Sequence, residues 1–241
     1  MARLEDQPLR QRKLARTRLA LLGALTAQLD THTYESVRIK DLCAVAEISE
    51  ASFFNYFERK EDLLIYFIQM WSLSVGWHAQ RVLAERGALA AIEDVFVRTA
   101  ADISAHPRVM SEVIAFQARM ERVPELRDPT LAERLAAYPD FDGIEKLPAR
   151  GLDVILPNLL AAAKLRGELS GDADTGFLDL NLSSIFFGTP VILRQSNPGS
   201  IGRAWQAQLN MIFRAAGAAP HRADVRLPPD PARKRKGGQL K

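Results

Sequence analysis

The side chains with the clearest capacity for specific chemistry lie in one short segment, ISEASFFNYFERKEDL, at residues 48–63. An asparagine amide such as that of Asn55 can form paired hydrogen bonds with adenine, and the hydroxyl of Ser52 can bond to several base edges. Ala51 is small enough to approach a thymine methyl group. Tyr56 carries a hydroxyl that can bind phosphate without reading sequence. These residue types suit contact with the major groove of DNA.

A short helix would divide this segment into two faces. At about 100° per residue, Phe53 and Phe57 share one face, which we expect to pack inward against the preceding helices. The expected inward contacts are Leu42, Val45 and the first helix. The opposite face then carries Ala51, Ser52 and Asn55, with Phe54 and Tyr56 on its flanks. Glu50 begins the helix, where its carboxylate either points to solvent or accepts a hydrogen bond from a cytosine amine.

A tight turn precedes this helix. Residues 47–49 separate the helices predicted at 39–46 and 50–56, which is the layout of a helix-turn-helix unit. The hydroxyl of Ser49 is suited to cap the second of these helices. A basic N-terminal arm comes before the unit, and such clusters suit a polyanion. Its basic residues are Arg10, Arg12, Lys13, Arg16 and Arg18.

The spacing of apolar side chains predicts helices along almost the whole chain. The remaining predicted helices are 10–30, 60–83, 88–105, 107–120, a turn-rich one around 130–138, 150–166, 174–196 and 200–217. No alternating strand pattern stands out, so the predicted fold class is all-α. The proline-rich residues 219–241 are predicted to be disordered.

Composition is typical of a soluble globular protein, with 47% hydrophobic and 25% charged residues. We find no apolar run of about 18 residues and no secretory pattern at the N-terminus, so we expect a cytoplasmic protein that does not enter a membrane. Cys43 is the single cysteine. It is expected to be a small buried hydrophobe, with a redox switch as the alternative. The basic tail either binds a polyanion or only aids solubility.

Catalytic chemistry is poorly represented in the sequence. The four histidines lie far apart, and no metalloprotease, nucleophile-elbow, CxxC or phosphate-loop pattern occurs. We therefore expect no catalytic residues, no metal site and no cofactor. An enzyme is one alternative, and a helical ligand-binding or interaction protein without specific DNA binding is another.

Residues 16–65 resemble the N-terminal domain of TetR/AcrR family transcriptional regulators. The resemblance rests on the FFNYF segment, on the FxxKEDLL pattern that overlaps its end, and on a set of earlier positions. Those positions are Ala24, Leu29, Tyr34, Ile39, Asp41, Leu42, Ala46, Ile48 and Ser49. The resemblance implies a helix-turn-helix DNA-binding domain at 1–60, a helical effector-binding and dimerisation domain at 61–218, and the tail at 219–241.

The resemblance also implies which residues meet DNA. The implied DNA-binding residues are Arg38, Lys40, Ser49, Ala51, Ser52, Phe54, Asn55, Tyr56 and Lys60. Lys60 aligns with a phosphate contact at the start of the fourth helix. Arg38 stands where a Ser or Thr helix cap is common, so either Ser36 caps the second helix or Arg38 reaches a phosphate.

Three further positions depart from the family pattern. Thr33 and Glu47 stand where glycine is frequent, so each is expected to tolerate a turn at a cost of about 1 kcal/mol. Phe54 replaces a frequent tyrosine, which removes one phosphate hydrogen bond. The fold is expected to survive all of these departures.

By the same resemblance, the second domain binds a small effector and holds a homodimer together on a palindromic operator. Helices 174–196 and 200–217 are apolar enough to form the dimer interface. Helix 60–83 is expected to be the only element that spans both domains. An apolar or aromatic effector is expected, although any of its candidate contacts could instead be plain core. Those candidates are Trp71, Trp77, His78, Phe96, Phe116, Met120, Tyr138 and Phe141. A repressor released by the effector is expected, with an activator as the alternative.

Overall fold

The computed structural model describes residues 2–119, 128–193 and 197–218, and it contains α-helices and short 3-10 turns but no strand within those ranges. The predicted all-α class is confirmed. The α-helices are α1 (Leu9–Leu29), α2 (Ile39–Val45), α3 (Glu50–Phe53), α4 (Lys60–Arg86), α5 (Ala88–Ala105), α6 (Pro107–Arg119), α7 (Leu131–Ala137), α8 (Leu152–Leu165), α9 (Thr175–Leu193) and α10 (Ile201–Ala215). The predicted disordered tail at 219–241 lies outside the described residues.

Two boundaries near the N-terminus differ from the predictions. Helix α3 ends at Phe53 rather than at residue 56, although the N–H groups of Tyr56 and Phe57 still bond to the Phe53 carbonyl at 2.9 and 3.0 Å. Helix α1 begins at Leu9, one residue before its predicted start, so the basic residues that follow lie on its first turns. The basic side chains are therefore held at fixed spacing along one helix.

The N-terminal helices share one hydrophobic core with parts of the following helices. Leu25, Phe53 and Tyr66 are fully buried at its centre, and they belong to α1, α3 and α4. The same core includes Phe116 from α6 and Leu135 from α7. The predicted boundary at residue 60 therefore does not separate two cores, because α4, α6 and α7 all pack against the N-terminal helices.

A buried ion pair joins α1 to α7. The Arg18 guanidinium lies 2.9 Å from a carboxylate oxygen of Glu133, whose side chain is fully buried. The guanidinium carbon also lies 4.6 Å from the ring centre of Phe57 and 4.2 Å from that of Tyr66. Arg18 therefore fixes the N-terminal helices to α7, and its predicted place in a polyanion-binding arm is corrected.

A second hydrophobic core lies among α4, α5, α8, α9 and α10. Its centre is an aromatic cluster in which Phe186 stacks on Trp205 with ring centres 5.4 Å apart. Phe96 meets Trp205 edge-on at 5.2 Å and is 1% exposed. Aromatic contacts of this kind add to ordinary apolar burial and hold the three helices in one arrangement.

Helix α9 leaves a large part of its apolar surface uncovered. Leu178, Leu182 and Phe186 face the second core, whereas Phe177 and Leu180 are exposed. Helix α9 is long and apolar enough to cross a membrane, a property that it shares with core helices of soluble proteins. Exposed apolar side chains nearby include Val191 and Ile192 on α9, Met211 on α10 and Leu165 on α8.

Candidate nucleic-acid interface and effector cavity

The faces of α3 lie as the sequence predicted. Phe53 and Phe57 are 0% and 3% exposed. Ala51, Phe54 and Asn55 are exposed, and Ser52 and Tyr56 are half-buried. We call these five outward residues the reading surface. One expected contact was wrong, because Val45 is 62% exposed and does not pack behind the phenylalanines.

Ser49 holds the start of α3. Its hydroxyl oxygen accepts a hydrogen bond from the backbone N–H of Ser52 at 3.1 Å, as the sequence predicted. The two serine hydroxyls also lie 2.8 Å apart and share a hydrogen bond. The hydroxyl of Ser52 is therefore oriented before any ligand arrives, which lowers the entropy cost of a contact at that position.

The turn before α3 contains a strained residue. Glu47 has φ +55°, the left-handed region that favours glycine, and it is the one non-glycine residue with positive φ in the described chain. The free-energy cost expected for a non-glycine residue at position 47 is therefore explained by this backbone conformation. Thr33 has φ −76°, so the cost expected there was wrong and Thr33 adopts ordinary extended backbone.

Arg38 and Lys40 lie at the start of α2. Arg38 is the N-cap residue of α2, where no side-chain cap forms, and Ser36 instead bonds to the Thr33 carbonyl. The Arg38 guanidinium donates to the carboxylate of Asp41 at 2.9 Å. Lys40 is exposed. Both cations are thus accessible to solvent, and Arg38 is held in position by its carboxylate partner.

Lys60 has a structural partner that the sequence did not reveal. Its ammonium group donates to the backbone carbonyls of Tyr34 and Val37 at 2.8 and 3.0 Å. It also lies 4.3 Å from the ring centre of Tyr34, and burial lowers the pKa of the amine. Lys60 therefore ties the start of α4 to the α1–α2 turn, here defined as residues 30–38. A phosphate contact by Lys60 stays a prediction.

A partly open cavity of about 1440 Å³ lies between α1, α4, α5, α6, α8 and α9. Its volume exceeds the roughly 300–1,000 Å³ of common small-molecule sites. The wall is mainly apolar, and its apolar residues include Leu22, Ile68, Met70, Trp71, Ile103, Met110, Val113, Tyr138, Leu152, Phe186 and Phe187. An apolar molecule of drug size has room to bind there.

Two of the predicted effector contacts, Trp71 and Tyr138, line this cavity. The Trp71 ring N–H donates to Asp102 at 3.1 Å, and the Tyr138 hydroxyl donates to the Met70 carbonyl. Both aromatic side chains therefore present their rings while their polar atoms are already satisfied.

Five of the other predicted contacts, all among the described residues, do not line the cavity. Trp77 stacks on Phe141 with ring centres 4.1 Å apart, and His78 meets the same ring edge-on. The other side of this cluster is Tyr138, whose ring stacks on Phe141 at 4.9 Å. Phe96 belongs to the second core, and Phe116 packs against Tyr34 in the first. Met120 lies outside the described residues. Residue type alone selected these side chains, and packing placed them elsewhere.

Helix α6 touches both the cavity and the α1–α2 turn. On the turn side, Arg108 donates to the Thr31 carbonyl at 2.9 Å, and the Tyr34 backbone N–H donates to Glu112 at 3.1 Å. His106 also lies 3.0 Å from Asp30, and Arg119 forms an ion pair with Glu35 at 2.6 Å. On the cavity side, α6 presents Val109, Met110, Val113 and Gln117.

The expectation that α4 alone spans both regions is therefore corrected. Helix α6 and helix α7 also contact the N-terminal helices, and α6 does so through polar contacts along most of its length. Such contacts respond to small shifts because hydrogen bonds weaken steeply with distance and angle. The sequence could not show them, since their partners are distant in the chain.

Solved structures with the same fold include several regulators. FadR of Thermus thermophilus, a TetR family transcriptional repressor solved with lauroyl-CoA, matches at a TM-score of 0.59 and 15% identity, over 86% of this chain and 98% of that one. FadR of Bacillus subtilis, solved with stearoyl-CoA, matches at 0.59 and 14% identity, over 81% and 97%. SmeT, solved with triclosan, matches at 0.56 and 17% identity, over 83% and 90%. No protein-family model and no curated protein matches the sequence.

Proposed function

We propose that this chain, which has the fold of the TetR-family transcriptional regulators, is a cytoplasmic, non-enzymatic, dimeric DNA-binding repressor that a small molecule releases from its operator. The observation that carries the proposal is the outward presentation of small and polar side chains on α3 above two buried phenylalanines. Such a face can enter a major groove, because nothing bulky blocks its centre.

The proposed roles of the individual side chains in DNA binding follow from their exposure to solvent. Asn55, with Ser52 and Ala51 beside it, reads base edges, while Tyr56 and Lys40 bind phosphates. Arg38 can bind a phosphate when it exchanges its exposed carboxylate partner for DNA, since an exposed ion pair is worth only about 0–1 kcal/mol. Phe54 packs on a sugar or a thymine methyl group.

A homodimer is proposed because one very short helix reads few bases. Two copies related by a two-fold axis read an inverted repeat with half-sites about 34–36 Å apart or a multiple of this. The exposed apolar side chains of α9 and α10, such as Phe177, Ile192 and Met211, provide a surface that such a dimer would bury. Exposed apolar side chains in such numbers are a reason to expect an interface.

The proposed effector site is the cavity beside α6. A ligand that shifts α6 changes its contacts with the α1–α2 turn, and through that turn the placement of α2 and α3. A coupling free energy of about 1–3 kcal/mol would change DNA affinity roughly 5–150-fold. The solved relatives with acyl-CoA or triclosan bound are consistent with a ligand-responsive regulator of this fold.

The test is selection from randomised duplex DNA by the purified full chain. We expect enrichment of an inverted repeat, bound with an affinity that falls steeply as salt rises. An interaction protein without specific DNA binding would enrich no such repeat. That outcome would overturn the proposal in favour of the alternative function.

A further inference from the structure

The charged side chains of the cavity wall are mostly acidic. Five carboxylates line it, namely Asp30, Asp102, Asp128, Asp153 and Asp179. Among its described lining residues the permanent cation is Arg150, and His106 lies 3.0 Å from Asp30. Arg150 and four of the carboxylates are exposed to solvent, whereas Asp179 is half-buried. A ligand in this cavity therefore meets an excess of negative charge.

Three of the carboxylates, Asp102, Asp153 and Asp179, form no ion pair in the described part of the chain, and of these Asp102 accepts a hydrogen bond from a neutral donor. Asp30 pairs with His106, Asp102 accepts from Trp71, and Asp128 lies 3.7 Å from Arg134. Asp153 on α8 and Asp179 on α9 form no such contact in the described ranges. Partial burial raises the pKa of Asp179, and the negative charge of Asp153 raises it further.

The same wall holds buried polar atoms that lack hydrogen-bond partners. One carboxylate oxygen of Asp179 and the amide oxygen of Gln117 are shielded from solvent and accept no hydrogen bond. Ser72 on α4 also lines the cavity, is 3% exposed, and has a hydroxyl without a partner. An unpaired buried polar group is costly, so these atoms indicate that the site is completed by a molecule that donates hydrogen bonds.

We propose that the effector is an organic cation, with an apolar body in the cavity and an ammonium-type group that donates to Asp179 beside Asp153. The proposal rests on the regulator function proposed above and specifies its ligand. An ammonium supplies both the missing positive charge and the missing donors. No group of three or more His, Cys, Asp or Glu side chains in the described ranges is arranged to hold a metal ion, which favours an organic cation.

The charge of the wall also separates this chain from two of its structural relatives. Coenzyme A thioesters, which are bound in the two FadR structures, carry several negatively charged phosphate groups. Five carboxylates beside one exposed guanidinium would repel such a ligand. We therefore expect a different ligand class in this chain despite the shared fold.

The experiment uses three probes that have one alkyl chain in common: decylammonium, decanol and decanoate. Binding to the full-length protein is measured by isothermal titration calorimetry, below the concentrations at which the probes form micelles. We expect decylammonium to bind at least about tenfold more tightly than decanol, and decanoate to bind most weakly. Decanoate binding as tightly as decylammonium would overturn the proposal.

Substitutions then test whether Asp179 and Asp153 cause the preference for decylammonium over decanol. Asp179→Asn keeps the shape of the side chain, and we expect it to weaken decylammonium binding about tenfold while decanol binding stays unchanged. Asp153→Asn is expected to act in the same direction. Asp140→Asn, at an exposed aspartate outside the cavity, is the matched control and should change neither affinity. An undiminished preference in both cavity variants would also overturn the proposal.

These measurements are separable from the test of the regulator itself. Calorimetry contains no DNA, so loss of the charge preference in a protein that selects an inverted repeat overturns the ligand class alone. Conversely, a protein that prefers decylammonium but selects no repeat keeps its cation site and loses the proposed regulator function.

Discussion

The carboxylate of Glu112 on α6 accepts a hydrogen bond from the backbone N–H of Tyr34, in the α1–α2 turn, at 3.1 Å. Tyr34 is 5% exposed and its carbonyl accepts from Lys60, so the turn is held from α6 on one side and from α4 on the other. The neighbouring Val113 and Gln117 of α6 line the cavity. The contact therefore lies between the proposed effector site and the helices that carry the reading surface.

Removing this contact should loosen the turn. In Glu112→Ala, the Tyr34 N–H loses its acceptor, and we expect its amide to exchange with solvent about tenfold faster, as the loss of roughly 1–2 kcal/mol implies. Hydrogen–deuterium exchange of the full chain measures the effect. Ala118→Ser, at an exposed position on the same helix, is the control and should leave the exchange of the Tyr34 amide unchanged. Equal exchange in both variants would show that α6 does not restrain the turn.

The ammonium of Lys60 should matter for stability, since it satisfies two carbonyls of the α1–α2 turn. We expect Lys60→Met to lower the free energy of unfolding by about 1–3 kcal/mol, measured by urea denaturation. Lys40→Met should change stability by less than about 0.5 kcal/mol, because Lys40 is exposed.

Lys40, in contrast, is expected to affect DNA binding. Lys40→Met should weaken binding to all DNA sequences alike and make the salt dependence shallower by about one unit of slope. If Lys60→Met leaves the unfolding free energy unchanged, the structural role assigned to its ammonium group is wrong.

The positive φ of Glu47 predicts a stabilising substitution. Glycine has no Cβ to strain at φ +55°, so Glu47→Gly should raise the free energy of unfolding by up to about 1 kcal/mol. Thr33→Gly is the matched control, because Thr33 has ordinary backbone at φ −76°. There glycine adds freedom to the unfolded chain and removes an exposed hydrogen bond to Ser36, so it should destabilise by about 0.5–1 kcal/mol. Thermal or urea unfolding of the two variants should therefore shift in opposite directions.

Breaking the ion pair between Arg18 and Glu133 should cause a large loss of stability. Arg18→Met leaves a fully buried carboxylate without its cation, which should destabilise the protein by about 3–5 kcal/mol. Adding Glu133→Gln should recover part of that loss, because the buried charge is then gone. Arg16→Met changes an exposed arginine on the same helix and should cost less than about 0.5 kcal/mol. Similar losses in Arg16→Met and Arg18→Met would contradict this assignment.

The features that follow from local geometry were predictable from sequence. The two faces of α3 follow from helical periodicity, and the Ser49 cap follows from the preference of serine for that position. The limits of α5 also agree with the prediction, since Gly87 and Pro107 end the apolar pattern on either side. Each of these depends on residues close together in the chain.

The features that depend on tertiary packing were not predictable from one sequence. The hydrogen bonds of Lys60 to the Tyr34 and Val37 carbonyls could not be predicted, because these groups become neighbours only in the folded chain. Trp77 and Phe96 were chosen by aromatic character, but packing placed them outside the cavity. The unpaired Asp179 was missed, because an aspartate on an apolar helix gives no sign of which wall it faces.

The central claim is that Asn55 on the exposed face of α3 reads bases. The most direct test compares the wild-type chain with Asn55→Ala in selection from randomised duplex DNA, followed by affinity measurements on the enriched sites. We expect Asn55→Ala to lose preference at one base pair in each half-site, by about 1–3 kcal/mol, while it still binds DNA through phosphates. If the variant ranks the same sites in the same order with undiminished differences, Asn55 does not read the operator and the assigned reading surface is wrong.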